Sequence, residues 1–143
     1  MKFRLSSHSV YRTQYHIVFV TKYRHRALNP AKFRIETEKA IKEIIGKIVG
    51  VELIEINIQS DHVHMVVVIP PKYSVAKVVE IIKSRSTKLI REKIEWLDKL
   101  YYDTPSLWST GYFVSSVGID EETIRRYVRY QQSQDSGQAK LEF

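Results

Sequence analysis

The sequence predicts an α+β fold: a four-stranded antiparallel sheet in βαββαβ order, followed by one more helix. Three observations carry that prediction. The chain has 143 residues, a length at which one domain buries a self-supporting core. Four segments read as strands and three as helices. A short link between the second and third strands argues a hairpin, so those two run antiparallel.

Taken in order, Tyr15 to Thr21 is rich in Val, Ile and aromatics and reads as a strand, with Lys22, Tyr23, Arg24, His25 and Arg26 as a dense basic exit. Asn29 before Pro30 is a helix start, a cap followed by a ring whose fixed φ suits the first turn. Ile41, Ile44, Ile45 and Ile48 form an apolar stripe at helical spacing, and Gly50 is the expected stop. Ile54, Ile56 and Ile58 then alternate with Glu55, Asn57 and Gln59, the period of a half-buried strand. After a turn at Ser60 and Asp61, His62 to Ile69 is the next strand, ended by Pro70 and Pro71.

Ser74 caps a long helix whose inner face is Val75, Val78, Val79, Ile82 and Leu89, and whose other side carries Lys77, Lys83, Arg85, Lys88 and Arg91. Trp108 to Val117 reads as the last strand, bounded by Gly118, and Asp120 caps a final helix from Glu121 to about Gln134. The first six elements are the split β-α-β of a ferredoxin-like fold. With no internal repeat and no linker, residues 1–143 form one domain, with 133–143 expected to be a flexible polar tail. Helices on one side of a single sheet leave its other face to solvent, a partner or a ligand.

Composition narrows the function. The absence of cysteine excludes a disulfide framework, a thiolate metal site and a cysteine nucleophile. No apolar run approaches the roughly 20 residues that cross a bilayer, and the basic start leads into no apolar export segment, so a cytoplasmic protein free of membrane is expected. Lys plus Arg exceed Asp plus Glu, 23 against 16, for a net charge of +7, which favours polyanionic partners.

His62 and His64 stand two apart on a strand, so both imidazoles leave the same face, about 7 Å apart at the α-carbons. Such a pair can hold one divalent ion, or be two ordinary histidines at the polar end of a face that continues as Val66 and Val68. Tyr127 and Gln131 are four apart in the final helix and share a face with Ile124 and Val128; Tyr127 also fits as a plain core aromatic. Tyr130 and Gln134 repeat the spacing, but nearer the end of the helix, so Tyr127 with Gln131 is the better pair.

Asp61-His62-Val63-His64-Met65-Val66-Val67 resembles the His-hydrophobic-His (HUH) motif, and Ile124-x-x-Tyr127-Val128-x-x-Gln131 resembles the tyrosine helix that accompanies it. Together they resemble the single-tyrosine HUH transposases of the smallest bacterial and archaeal insertion sequences, the REP-associated tyrosine transposases among them. The resemblance spans nearly the whole chain, through Ser9-Val10-Tyr11, Tyr15-His16-Ile17-Val18-Phe19, Lys22-Tyr23-Arg24, Ile82-Lys83-Ser84-Arg85-Ser86 and Trp108-Ser109-Thr110-Gly111-Tyr112-Phe113-Val114. Ser84 stands where the family often has Gly.

The resemblance implies an enzyme that cuts and rejoins single-stranded DNA beside hairpins. Tyr127 is the implied catalytic nucleophile, forming a 5′-phosphotyrosine, and His62, His64 and Gln131 the implied metal ligands. The mixed nitrogen and oxygen set suits Mg²⁺ or Mn²⁺, with zinc also compatible, and rejoining from a phosphotyrosine needs no ATP. The family works as a homodimer in which the tyrosine helix of one chain can serve the histidines of the other. Lys22, Arg24, Lys83, Arg85 and Lys88 are the candidates for the DNA backbone. The rival readings are a non-catalytic ferredoxin-like nucleic-acid-binding module and a metal-dependent phosphodiesterase that uses water; a domesticated relative would keep the same chemistry.

Overall fold

A computed structural model describes residues 4–5, 10–11, 13–116 and 118–137. Strands β1 (Arg4–Leu5) and β2 (Val10–Tyr11) pair as a small separate ribbon; Ser9, read with the opening strand, lies outside the described residues. The main sheet holds β3 (Gln14–Val20), β4 (Glu52–Ile58), β5 (His62–Val68) and β6 (Phe113–Ser115) in the order β4-β5-β3-β6, every neighbour antiparallel. Helix α1 (Ala31–Gly46) joins β3 to β4, and α2 (Val75–Lys93) leads from β5 toward β6. This is the ferredoxin-like arrangement, with a short helix α3 (Trp96–Leu100) that the sequence reading did not anticipate and a terminal helix α4 (Glu121–Asp135).

Alternation along the strands builds two cores, one on each side of the sheet. Ile17 and Phe19 of β3 and Val63, Met65 and Val67 of β5 join Ile41, Ile44, Ile45, Val78, Val79 and Ile82 in the larger one, beneath α1 and α2. Val18 and Val20 point the other way and meet Ile124, Tyr127 and Val128 of α4. The second face of the sheet, expected to be free, is thus occupied over β3 by the chain's own last helix.

The caps at Ser74 and Asp120 form as read: each side chain accepts the backbone N–H three residues on, from Lys77 at 3.0 Å and Thr123 at 2.7 Å. Other boundaries move. Pro30 takes the cap position of α1 with an extended ψ of 131° and no side-chain bond, leaving Asn29 one residue outside the helix. That helix stops at Gly46; Gly50, at φ 87°, serves the turn into β4, where a β-carbon would stand 3.1 Å from Pro70. In β4 the pairing slips between Leu53 and Glu55, so Leu53, Ile56 and Ile58 face the core and Ile54 is turned out, 46% exposed.

The last strand is much shorter than Trp108–Val117. Trp108 keeps a single bridge to Thr21, Gly111 at φ 91° ends any extended run, and the carbonyls of residues 109–111 are taken by side chains rather than by a neighbouring strand; Val117 is outside the described residues. At the other end α4 continues to Asp135, so residues 133–135 are helical and not tail; 138–143 lie outside the described residues. Among the described residues no helix is long and apolar enough to cross a membrane.

Candidate active site

Strand β5 sends Val63 and Met65 into the larger core and therefore sends His62 and His64 to the α4 side. Across the ladder His64 faces Val18 and His62 faces Val20, two valines that share a buried cluster with Tyr127. The helix carrying the tyrosine thus rests on the strand next to the imidazoles, at neighbouring register positions.

Each imidazole has a partner. His62 Nδ1 lies 2.8 Å from Asp61 Oδ1, which leaves its Nε2 as the nitrogen for other work. The other oxygen of Asp61 accepts from Arg24 Nε at 3.0 Å. Burial would raise the Asp61 pKa, but the hydrogen bonds from His62 and Arg24 outweigh it and hold the carboxyl below its ordinary value. Arg24 also donates to Gln132 Oε1 at 3.0 Å, so one guanidinium ties the histidine motif to α4. His64 Nε2 stands 3.4 Å from Nδ1 of His16, which reaches over from β3. Burial, with the neighbouring His16 ring, lowers the His64 pKa against the opposing pull of Glu55 and Glu121 and favours the neutral imidazole, the form that coordinates metals.

On α4 the four-residue spacing does what a helix dictates: Tyr127 and Gln131 are both buried and bonded, the amide Nε2 donating to the phenol oxygen at 2.6 Å. The second Nε2 hydrogen goes to the Thr110 carbonyl at 2.8 Å. Tyr127 also packs against the Phe113 ring, centroids 5.7 Å apart. Burial pushes its pKa up to about 12, in spite of the bond from Gln131, so the phenol is a weaker source of phenolate than a free tyrosine. In the rival pair Tyr130 is only half-buried and Gln134 exposed.

Among the described residues no three His, Cys, Asp or Glu side chains converge as a metal site, so an ion at the histidine pair would need a third donor of another kind. Gln131 offers one. Its Oε1 is buried and has no hydrogen-bond partner among the described residues, an orphaned acceptor of the kind a cation satisfies. His62, His64 and this oxygen make up a mixed nitrogen and oxygen donor set of the kind a divalent ion accepts.

A sequence model described as IS200-like transposase matches residues 9–131. The chain belongs to the IS200-like transposase family. It is 33% identical over 132 residues to the transposase for insertion sequence element IS200 of Salmonella typhimurium, covering 90% of this chain and 83% of that protein. It is 27% identical over 130 residues to the ISDra2 transposase TnpA of Deinococcus radiodurans, covering 88% and 89%. Two solved structures share the fold. A Deinococcus radiodurans protein described as a transposase superposes with a TM-score of 0.74 at 22% identity, over 96% of this chain and 99% of that one. A REP-associated tyrosine transposase bound to a REP hairpin gives 0.51 at 13% identity, over 94% and 76%. Membership makes this chain a transposase, an enzyme that cleaves and moves DNA.

The transposase uses its basic side chains unequally. Of the five backbone-contact candidates, Arg85 and Lys88 stand exposed on α2. Lys22 pairs with Asp135 at 3.6 Å, Arg24 is held by Asp61 and Gln132, and Lys83 donates to the carbonyls of Ser109 and Gly111 at 2.6 and 2.7 Å. Arg91, read as part of the same polar side, instead clamps the carbonyls of Tyr101, Thr104 and Ser106. Asp61, His16 and Asp135 had no assigned role in the sequence. Asp61 abuts His62, and His16 shares the period-two face of Val18 and Val20, so both were within reach of the pattern; Asp135 was hidden in the presumed tail.

Proposed function

We propose that this transposase cuts and rejoins single-stranded DNA at hairpin-flanked element ends, with Tyr127 as the nucleophile. The observation that carries the reading is the buried Tyr127–Gln131 pair seated one strand away from His62 and His64. The Tyr127 oxygen attacks the scissile phosphorus; a phosphorus–oxygen bond forms, the bond to the 3′-oxygen breaks, and the phenol proton leaves as the 3′-hydroxyl gains one. The product is a 5′-phosphotyrosine that a second 3′-hydroxyl can attack in reverse, with no ATP consumed.

A phenol with a pKa near 12 needs help to attack. His62, His64 and Gln131 Oε1 would hold Mg²⁺ or Mn²⁺, which supplies Lewis-acid polarisation of the phosphate. Asp61 fixes the His62 ring, and the Gln131 amide aims the phenol oxygen. Arg85 and Lys88 suit the DNA backbone, and a homodimer is the working assembly.

The test is a labelled single-stranded hairpin with Mg²⁺ or Mn²⁺, resolved on a denaturing gel. A protein-linked product is expected from wild type and not from Tyr127→Phe. Cleavage that survives Tyr127→Phe without an adduct would instead mean water is the nucleophile, and metal-independent binding alone would mean a non-catalytic module. Mixing Tyr127→Phe with His62→Ala chains restores cleavage if the helix of one protomer serves the histidines of its partner; heterodimers without rescue place the site within one chain.

A further inference from the structure

We propose that Lys83 is a positioning residue: by holding the two carbonyls that flank Thr110 it fixes the Thr110 carbonyl, and through it the orientation of the Gln131 amide. The inference rests on the reading of Tyr127 and Gln131 as the working pair. Three consecutive carbonyls are gripped from two helices. Those of Ser109 and Gly111 accept from Lys83 Nζ on α2, and the one between them, Thr110, accepts from Gln131 Nε2 on α4.

A carbonyl oxygen only accepts, so the end of the Gln131 amide that meets Thr110 must be the nitrogen. Its second hydrogen then goes to the Tyr127 oxygen, and Oε1 is left with one direction to point. A turned amide would set oxygen against the Thr110 carbonyl, so that carbonyl selects which end of Gln131 is which. Ser109 is buried and bonded to Thr21 and Asp135, but past it the segment has little packing of its own. A cavity of about 340 Å³ bordered by Ala76, Val79, Ser84 and Tyr112 lies alongside, and Thr110 and Gly111 are exposed. The ammonium supplies the hold that side-chain packing does not. Burial there lowers the Lys83 pKa to about 8, with Asp135 opposing, a cost that a lysine waving in solvent for DNA would not bear.

The experiment uses DNA-free protein and two readouts: Mn²⁺ affinity by electron paramagnetic resonance, and the Gln131 side-chain amide signals in a ¹⁵N spectrum. Lys83→Met, Gln131→Ala and the double variant are compared with wild type. Lys83→Met should weaken Mn²⁺ binding about five- to tenfold, the scale of coupling inside one hydrogen-bond network, and move the Gln131 amide signals toward solvent values. In the Gln131→Ala background it should change nothing further, and Lys83→Arg should restore most of the affinity. Equal weakening in both backgrounds would overturn the proposal, as would Gln131 amide signals that Lys83→Met leaves unmoved. Should Lys83→Met not fold, Lys83→Gln keeps a donor for one carbonyl and carries the same comparison with a smaller loss. Wild type that binds no Mn²⁺ would refute the metal reading, while the amide signals would still decide whether Lys83 sets Gln131.

Discussion

Asp135 closes the contact between α4 and the rest of the molecule, and replacing it should be costly. Its side chain is 4% exposed and lies 3.6 Å from Lys22 Nζ; it accepts the Tyr23 N–H at 2.8 Å and the Ser109 hydroxyl at 2.6 Å. The Tyr23 bond matters doubly, because Tyr23 and Arg24 adopt consecutive positive φ values of 59° and 55°, an arrangement side chains other than glycine hold only when neighbours enforce it. Charge-assisted bonds contribute about 1.5–3 kcal/mol each. In Asp135→Ala the Ser109 hydroxyl can turn to the Thr21 carbonyl, 3.1 Å away, which recovers part of one of them. Removing a carboxylate from a helix C-terminus returns about 0.5 kcal/mol more. The net loss should be about 2–4 kcal/mol, a fall of about 6–14 °C in Tm for a domain of this size. Asp135→Asn keeps an acceptor for Tyr23 and should lose only about 1 kcal/mol. Urea unfolding followed by circular dichroism at fixed protein concentration measures both. An alanine variant within 1 kcal/mol of wild type, or an asparagine variant as damaged as alanine, would refute the reasoning.

Lys83 gives a pH signature. Its folded pKa of about 8 lies below the ordinary 10.5, so between those values the unfolded chain holds more protons and stability rises with pH, by about 1–2 kcal/mol after discounting for partial exposure. Lys83→Met should flatten that rise in urea midpoints taken from pH 7.5 to 10, and above pH 10 the raised pKa of Tyr127 turns the trend downward in both proteins. Gly111→Ala should destabilise by about 1–3 kcal/mol through its positive φ, and its new methyl, 3.3 Å from Gln131 Nε2, should shift the Gln131 amide signals. Ser86→Ala strands the buried Trp108 indole N–H, now bonded to Ser86 Oγ at 2.9 Å; a loss of about 1–3 kcal/mol should appear in tryptophan-detected unfolding.

Local chemistry made much of this legible. The caps at Ser74 and Asp120 needed only a side chain and the N–H three residues on, and the two-residue alternation put His62 and His64 on one face before any fold was known. Long-range placement was not written in that way. The amphipathic pattern of α4 says that one side is buried, but not against which face of the sheet, so the occupied second face was not foreseen. Lys83 and Arg91 carry the same formal charge as Arg85 and Lys88, and only tertiary structure shows that the first two point at carbonyls. His16 meets His64 through a strand register set by residues nearly fifty positions apart. The slip at Ile54 was hidden because an isoleucine outside the ladder looks, in sequence, like one within it.

That slip also shapes the rim of the sheet. β4 is an outer strand, and a regular outer strand offers an uninterrupted row of amides and carbonyls to any passing extended chain. Ile54 inserts one unmatched residue into that row, kinking it and increasing its local twist. The same residue that costs the molecule an exposed isoleucine spoils its border as a mould for aggregates, so shortening β4 by that one position would straighten the edge and leave it open to unwanted partners.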